Sequence, residues 1–408
     1  MQSAKSKTNL TMNYSLKGIC MIIVINKICN KIKRDFVRLF LYRIIKIDNY
    51  KVVVFNFFGK GYGDNPKYIV EKLLLSDRKL DIVWIVKDLS EEMPANIRKV
   101  KYGSWQSMYE LATAKVIIGN IKNFSKPKKK TGQFYLQTWH GGIGLKESER
   151  QIEKKLSVGY VKKSKKDAAE TDLMLSDSNW TTEIYANWFW YRGPIYKSGF
   201  PRNDILIKRP QIALDHVYKY FGLEKKKKIV LYAPTFRDGD NPKNIYQFDF
   251  ETIAKSIEKK FGSEHVVLIR LHPNLENIFP DPLYDFDGHN IFNAQDYPDM
   301  QELLVATDIF ITDYSSAMFD AMLANCKVFL LAKDLDSFNG QRKFLFNIKK
   351  DLPFDFSESE GGLNLAISNF DEQRYRHAVR KFADRLQIFE DGNASDRVAK
   401  LIIDKMGI

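Results

Sequence analysis

The chain of 408 residues carries 44% hydrophobic and 13% aromatic residues and a formal net charge of +14. This composition can bury real hydrophobic cores and excludes a disordered protein, and the length exceeds what one core usually supports, which predicts two domains. The positive charge favours an anionic partner, such as nucleic acid, a phosphate-rich substrate or an anionic membrane face.

Cysteine is sparse in this sequence. Cys20, Cys29 and Cys326 form no CxxC pair and show no metal-ligand spacing. An odd, low count of this kind predicts a reduced, cytoplasmic protein without a zinc site. No acidic pair with evident metal-ligand spacing is present either, so we expect no obligatory protein-bound metal and no cofactor.

Residues 1–49 differ from the rest of the chain. The apolar run at 19–25 is too short to span a bilayer, and no small-residue cleavage site follows it. Residues 27–46 mix lysine and arginine with isoleucine, leucine and phenylalanine, which is typical of a basic amphipathic helix. The pattern fits equally a helix on an anionic inner membrane face and a helix packed on the first domain.

Short apolar runs alternate with helical stretches over residues 50–205, where we place the first domain. Strands are predicted at 51–58, 80–86, 115–120, 134–139 and 172–178. The first strand leads into a glycine-rich stretch in which Asn65 and Pro66 are predicted as the N-cap and first-turn proline of a helix. Such alternation predicts a parallel, doubly wound sheet.

A second set of elements follows the charged segment at 207–228. Strands are predicted at 227–239, 264–274, 307–316 and 327–334, with helices at 250–261, 300–306 and 316–325. We therefore expect a second α/β domain over residues 206–370 and a helical C-terminal segment over residues 371–408. The fold class predicted is α/β.

The first candidate site residue is His140, which follows the strand at 134–139 and precedes Gly141 and Gly142. Ligands of open α/β sheets bind beyond the carboxyl ends of the strands, and glycines leave room for backbone approach to a ligand. A histidine here is suited to face that ligand. The alternative is a hairpin or bend in which the imidazole only caps a loop.

Two later strand ends carry groups suited to a phosphate. Arg270 and His272 share one face of their strand, because side chains alternate with period two. Arg237 lies just past another strand, where its guanidinium could form a bidentate contact with a phosphate. The alternative for Arg237 is an ordinary arginine of a surface loop.

The run TDYSS at 312–316 is the last of these strand ends. Thr312 and Asp313 precede Ser315 and Ser316, whose hydroxyls open the helix predicted at 316–325. Hydroxyls and free amide groups at a helix N-terminus favour an anion. An ordinary Ser/Asp helix cap is the alternative.

Together these stretches resemble one known family. WHGG at 139–142, APTFRD at 233–238, RLHP at 270–273 and the run from TDYSS to DLDSF at 312–338 resemble, in this order, the CDP-glycerol glycerophosphotransferases of teichoic-acid and capsule polymer synthesis. NPKYIVE, LATAKVIIGN, SDSNWTTEIYANWFWY, GFPRND and DGNASDRV are also similar to that family, so the resemblance covers about residues 50–405. Many members carry threonine where this chain has Gly142. This difference bears on the type of acceptor or polymer more than on the reaction chemistry.

The resemblance implies a GT-B fold, in which two Rossmann-like domains face a cleft, and transfer of an alditol phosphate with release of CMP. It implies that His140 is the catalytic base, and that His272 and Arg270 act with Ser315 and Ser316 on the pyrophosphate. The further substrate-binding residues that it implies are Gly141, Thr312 and Asp313, with Arg237 and Asp320 as weaker donor-site candidates.

The partners implied by the resemblance are a CDP-glycerol or CDP-ribitol donor and a lipid-linked polymer acceptor. An enzyme that uses such an acceptor is expected at the cytoplasmic face of the cell membrane, held peripherally, with a homo-oligomer left open. Two alternatives remain. One is a GT-B glycosyltransferase that uses a nucleotide sugar. The other is a nucleic-acid-binding protein, which we do not expect because no zinc-finger, RRM or KH signature appears.

Overall fold

The computed structural model describes residue 29 and residues 44–76, 78–123, 126–237, 243–247, 249–271, 290–341 and 343–408. Most of the basic helix predicted at 27–46 lies outside the described residues, and so does His272. Within the described part of the chain, no helix is both long enough and apolar enough to cross a bilayer.

The first sheet has seven parallel strands in the order β3-β2-β1-β4-β5-β6-β7. These strands are β1 (Asp48–Phe55), β2 (Asp81–Val86), β3 (Ile97–Lys101), β4 (Ala114–Gly119), β5 (Phe134–Gln137), β6 (Leu173–Ser176) and β7 (Ile195–Lys197). The strand order reverses between β1 and β4, so their carboxyl ends open a crevice of the kind that binds ligands in doubly wound sheets.

The second sheet has six parallel strands in the order β10-β9-β8-β11-β12-β13, which reverses between β8 and β11. These strands are β8 (Lys228–Tyr232), β9 (His265–Ile269), β10 (Ile291–Asn293), β11 (Ile309–Thr312), β12 (Lys327–Leu331) and β13 (Asp355–Ser357). The two-sheet α/β architecture predicted from the strand pattern is therefore confirmed.

Helices cover the faces of both sheets. In the described residues they are α1 (Asp64–Leu74), α2 (Trp105–Thr113), α3 (Val158–Glu170), α4 (Asn179–Trp188), α5 (Asp204–Lys208), α6 (Gln211–Tyr220), α7 (Lys243–Tyr246), α8 (Phe250–Phe261), α9 (Met300–Ala306), α10 (Ala317–Leu323), α11 (Leu335–Gln341), α12 (Glu360–Ser368), α13 (Glu372–Leu386) and α14 (Ala394–Met406). The described residues also contain 3₁₀ segments at Glu149–Lys155 and Pro201–Asn203.

Burial on both faces explains why the central strands read as unbroken apolar runs. Residues 52–55 of β1 and 309–312 of β11 are buried throughout, as expected for parallel strands covered by helices on each side. The strands β3, β7, β10 and β13 were not predicted. They are three to five residues long and contain lysine, arginine, asparagine or aspartate, so they lack the apolar run that marks a buried strand.

The C-terminal stretch predicted as one helical segment consists of two helices that pack on different cores. Tyr375 and Phe382 of α13 join the core of the second sheet, whereas Val398 and Ile402 of α14 join that of the first. Asp204 caps α14 from the start of α5, because its carboxylate accepts hydrogen bonds from the backbone amides of residues 394 and 395 at 2.9 and 2.7 Å.

Removing that cap is expected to loosen α14 from the first domain. In Asp204→Ala two buried amides lose a charged acceptor, and we expect the free energy of unfolding to fall by about 2 kcal/mol. The matched control is Asp371→Ala, which removes the exposed cap of α13 and is expected to cost about 1 kcal/mol or less. Denaturant unfolding measures both, and equal losses would contradict a special role for Asp204.

Candidate active site

His140 lies just beyond β5, beside the point where the first sheet reverses its strand order. Its Nδ1 lies 2.7 Å from the carbonyl oxygen of Asn120, which follows β4. A carbonyl only accepts hydrogen bonds, so Nδ1 carries the proton and Nε2 of the neutral ring is an acceptor. Burial lowers the pKa of His140 below its ordinary value and so favours this neutral form.

Neighbouring groups fix the orientation of the His140 ring. The rings of Phe57 and Trp139 lie 5.3 and 4.5 Å from it, between centroids. The Asn120 side chain donates to the Asn56 side chain at 2.5 Å and accepts from the Phe57 amide at 3.1 Å. These hydrogen bonds join the loops after β1 and β4 next to the histidine.

The two glycines after His140 run along α4 of the same domain. The Gly141 carbonyl accepts a hydrogen bond from the Tyr185 hydroxyl at 3.0 Å. A β-carbon at Gly142 would collide with the carboxylate of Asp177, which is buried and whose pKa is raised by that burial to about 6. Asp177 therefore occupies the space that a side chain at position 142 would need.

A cavity of about 280 Å³ lies between the two domains beside this loop. His140 and Gly141 line it from the first domain, and Tyr314 and Ser316 line it from the second. The loop after β5 therefore runs along an interdomain cavity.

The serines that precede α10 differ in their roles. The Ser315 hydroxyl accepts a hydrogen bond from the Ala317 amide at 3.3 Å and so caps the helix. Ser316 is exposed, occupies the N-cap position and forms no side-chain cap bond. Its hydroxyl is therefore left for contacts within the cavity that it shares with His140.

Arg202 is a residue of this site that sequence reasoning did not select. It is only 9% exposed, and its Nη1 donates to the His140 carbonyl oxygen at 2.8 Å. Its Nη2 lies 3.0 Å from an oxygen of Asp320 in α10, and its Nη1 lies 3.4 Å from an oxygen of Asp64 in α1. One guanidinium thus ties the histidine loop to both domains.

Asp320 and Asn65 are drawn into this same connection. Asp320 is buried and accepts hydrogen bonds from Arg202 and from the side-chain Nε2 of Gln301, both at 3.0 Å, so its carboxylate is not free to bind the CDP-alditol donor. The predicted N-cap role of Asn65 is wrong, since α1 has Gly63 at its N-cap. The Asn65 side chain instead donates to the Trp139 carbonyl at 3.1 Å and accepts from the Arg202 amide at 3.1 Å.

Arg237 does not face open space, in contrast to the expected contact with a phosphate. Its side chain is only 3% exposed. The guanidinium makes a bidentate contact with the carboxylate of Asp334, in which both N–O distances are 2.8 Å. Asp313 lies 2.7 Å from its Nη1. The carbon of the guanidinium lies 5.0 Å from the ring centroids of both Tyr314 and Phe338. A buried charge needs such partners, and two carboxylates supply them.

Thr312 and Asp313 hold the same turn from within. The Thr312 hydroxyl donates to the Ala233 carbonyl oxygen at 2.7 Å. Asp313 accepts from the amides of Thr235 and Tyr314 at 2.8 and 2.5 Å. Both side chains are buried, so they shape the connection that carries the two serines and do not line the cavity.

Arg270 directly follows β9 and stabilises the loop after β10. Its Nη1 donates to the carbonyl oxygens of Ala294 and Tyr297 at 2.8 and 2.6 Å, and burial lowers its pKa. His272 lies outside the described residues. Among the residues that are described, no group of three or more His, Cys, Asp or Glu side chains could hold a metal ion.

Comparisons with known proteins agree with this architecture. The family model of CDP-glycerol:poly(glycerophosphate) glycerophosphotransferases matches residues 38–404. A teichoic acid poly(glycerol phosphate) polymerase of Staphylococcus epidermidis is 31% identical over 86% of this chain, and this chain spans 50% of that relative's length. A protein of the same name from Bacillus spizizenii is 28% identical, over 93% of this chain and 99% of its own length.

A solved structure has the same fold along nearly the whole chain. The wall teichoic acid polymerase TagF, in a variant soaked with CDPG, superimposes with a TM-score of 0.81 at 28% identity and covers 97% of this chain and 98% of its own. With the family model matched over most of the sequence, the chain belongs to the CDP-glycerol:poly(glycerophosphate) glycerophosphotransferase family.

Proposed function

We propose that this protein transfers glycerol phosphate from CDP-glycerol to a hydroxyl group of a polymer acceptor and releases CMP, in teichoic-acid or capsular polymer synthesis. The observation that carries the proposal is the interdomain cavity that is lined by His140 from one domain and by Ser316 from the other. Membership of the family supports the donor, and the two facing α/β domains agree with a GT-B enzyme.

His140 is the catalytic base of this proposal. Its Nε2 accepts the proton of the attacking hydroxyl while that oxygen bonds to the β-phosphorus of the donor. The bond from this phosphorus to the oxygen of the CMP phosphate breaks, and CMP leaves with that oxygen. General-base catalysis requires a neutral ring at working pH, and the lowered pKa of His140 meets this requirement.

In this proposal the second domain supplies most of the groups that stabilise the negative charge of the diphosphate and of the leaving CMP. We assign direct donor contacts to Ser315, Ser316 and Gly141, and to Arg270 and His272 beyond β9. Thr312, Asp313 and Arg237 support the serine turn, and Asp320 acts through Arg202. Hydrogen-bond donors of the protein that are held in place before the reaction stabilise the developing negative charge without reorganisation.

The acceptor is proposed to be lipid-linked, which places the enzyme peripherally on the anionic cytoplasmic face of the membrane. The net charge of +14 is consistent with this surface. CDP-ribitol is the alternative donor, and a nucleotide-sugar glycosyltransferase is the alternative enzyme.

Product analysis tests the function. The purified full chain is incubated with an acceptor primer and with CDP-glycerol, CDP-ribitol or UDP-sugars. We expect acceptor-dependent CMP release with CDP-glycerol and extension of the acceptor by glycerol phosphate, seen by mass spectrometry. Release of UDP with a glycosylated product would instead identify a glycosyltransferase.

Loss of the imidazole is expected to abolish turnover while donor binding persists. For His140→Ala, CMP release should fall by at least about 100-fold, the lower range for a general base. His377→Ala is the control, because that histidine is exposed on α13. In the wild type, kcat/KM should hold until the pH falls below the ordinary histidine pKa, since only protonation at the lowered value removes the base. Near-normal CMP release by His140→Ala would refute the assignment.

The serine turn is expected to govern donor affinity. Calorimetry with CDP-glycerol should show that Ser315→Ala with Ser316→Ala weakens binding by at least about tenfold, because hydrogen bonds to a charged group are lost. Ser368→Ala removes an exposed hydroxyl at the end of α12 and serves as the control. An unchanged affinity in the double variant would place the diphosphate elsewhere.

Arg202 is expected to affect turnover more than donor binding. Arg202→Lys cannot reach the His140 carbonyl and Asp320 together, so the histidine loop loses its tie to α10 and CMP release should fall about tenfold or more. The control Arg209→Lys alters another arginine, whose guanidinium donates to the carbonyls of Val305 and Ala324. Equal effects of the two variants on turnover and thermal stability would show a general structural role.

A further inference from the structure

A second and larger cavity of about 750 Å³ opens between the domains on the other side of the β1–α1 connection. We call it the Tyr220 cavity. The first domain contributes the loops after β1 and β2 and the start of α1, and the second contributes α6 and the N-terminal end of α9. Its lining residues are Gly61, Tyr62, Lys67, Glu91, Glu92, His216, Lys219, Tyr220, Tyr297, Pro298, Asp299 and Glu302.

One wall of the Tyr220 cavity is held by an ion-pair network between the domains. Lys67 of α1 lies 2.5 Å from the carboxylate of Asp299, which also accepts a hydrogen bond from the Tyr68 hydroxyl at 2.9 Å. Glu302 accepts from the Tyr297 hydroxyl at 2.5 Å and lies 3.6 Å from Nδ1 of His216. These groups are already satisfied by protein partners, so they fix the shape of the cavity.

Other polar groups in the Tyr220 cavity remain available to a ligand. Within the described part of the chain, Glu91, Glu92 and Lys219 have no ion pair within 4.0 Å. The Tyr62 hydroxyl and one carboxylate oxygen of Glu91 are buried at the wall without a partner among the described residues. No described residue supplies their hydrogen bonds, which makes both atoms candidates for contact with a bound molecule.

Aromatic surface complements these polar groups. Tyr220 is 53% exposed, and its ring meets that of Tyr297 edge to face at a centroid distance of 5.0 Å. The Tyr62 ring packs on the buried ring of Trp84 with centroids 4.8 Å apart. Tyrosine offers an apolar ring and a polar hydroxyl together, which suits a ligand with both C–H faces and hydroxyl groups.

The Tyr220 cavity is connected to the candidate active site by short hydrogen-bonded paths. The carbonyl of Gly61 at its rim accepts from the Asn56 side chain at 3.2 Å. Asn56 accepts in turn from Asn120, whose carbonyl holds His140. A ligand in the Tyr220 cavity therefore lies beside the loops that position the catalytic base.

We propose that the Tyr220 cavity binds a neutral, polyhydroxylated part of the acceptor, namely a sugar unit away from the reacting hydroxyl. Carboxylates accept hydrogen bonds from sugar hydroxyls, tyrosine rings pack on the C–H faces of a pyranose, and the volume is in the range of small-molecule sites. Two carboxylates, of Glu91 and Glu92, and one ammonium, of Lys219, lack an ion pair among the described residues, and this excess of negative charge disfavours a phosphodiester. The proposal rests on the proposed function, because it names part of that reaction's acceptor.

Direct binding to the intact full chain tests the proposal without depending on activity. The probes are the neutral disaccharides chitobiose and maltose and, as the phosphodiester alternative, tri(glycerol phosphate), each titrated by calorimetry or ligand-observed NMR. Variants Tyr220→Ala and Glu91→Gln remove the ring platform and the acceptor charge. Tyr50→Ala is the matched control for the first variant, since Tyr50 is 50% exposed and lies near the start of β1, whereas the cavity is lined by the loop after β1. Glu183→Gln, at an exposed glutamate, is the control for the second variant.

We expect at least one disaccharide to bind, and each cavity variant to weaken that binding about fivefold to tenfold, as loss of one good contact does. Tyr220→Phe keeps the ring and should retain most of the affinity, which separates loss of contact from misfolding. Both controls should bind as the wild type, and saturating CDP-glycerol should not displace the sugar.

Kinetics give an independent readout. An acceptor analogue that carries a disaccharide should have a lower KM than its sugar-free counterpart, and Tyr220→Ala should remove this difference while the KM for CDP-glycerol is unchanged. Absence of disaccharide binding, equal binding by variants and wild type, or selective loss of tri(glycerol phosphate) binding would overturn the proposal. A wild-type protein that binds the sugar but releases no CMP would refute the proposed function instead.

Discussion

The geometry of the site depends on one buried guanidinium, that of Arg202. A buried arginine with 9% exposure is stable only when its charge is paired, and here the acceptors of its two terminal nitrogens come from different parts of the chain. Asp320 belongs to the second domain, Asp64 to the first, and the third acceptor is the backbone of His140 itself. The same arginine that joins the domains therefore also positions the loop of His140, the proposed base.

A second buried arginine has a comparable role on the opposite side. Arg237 is enclosed by Asp313, Asp334 and aromatic rings, and Asp313 also accepts from the amides of Thr235 and Tyr314. These contacts fix the turn between β11 and α10, which presents Ser316 to the cavity. In both domains a buried ion pair inside the protein thus shapes a loop at the interdomain cavity.

The two interdomain cavities are stabilised by some of the same parts of the first domain. The loop after β1 lies between them, with the Asn56–Asn120 pair on one side and the rim at Gly61 on the other. The start of α1 contributes Asp64 to the Arg202 cluster and Lys67 to the ion pair with Asp299. One stretch of the first domain, the loop after β1 with the start of α1, therefore stabilises the surroundings of both cavities.

The sequence by itself determined the α/β class, most central strands and the strand-end position of His140. Long apolar runs and adjacent glycines are local signals, and they were sufficient for these features. Local patterns did not reveal the inward direction of Arg237 or the bridging role of Asn65. They also missed the contact between Arg202 and Asp320, which are 118 residues apart. Only the tertiary structure decided these points, because the partner of a buried charge or amide is set by which loops the two sheets bring together and leaves no periodic trace in the chain.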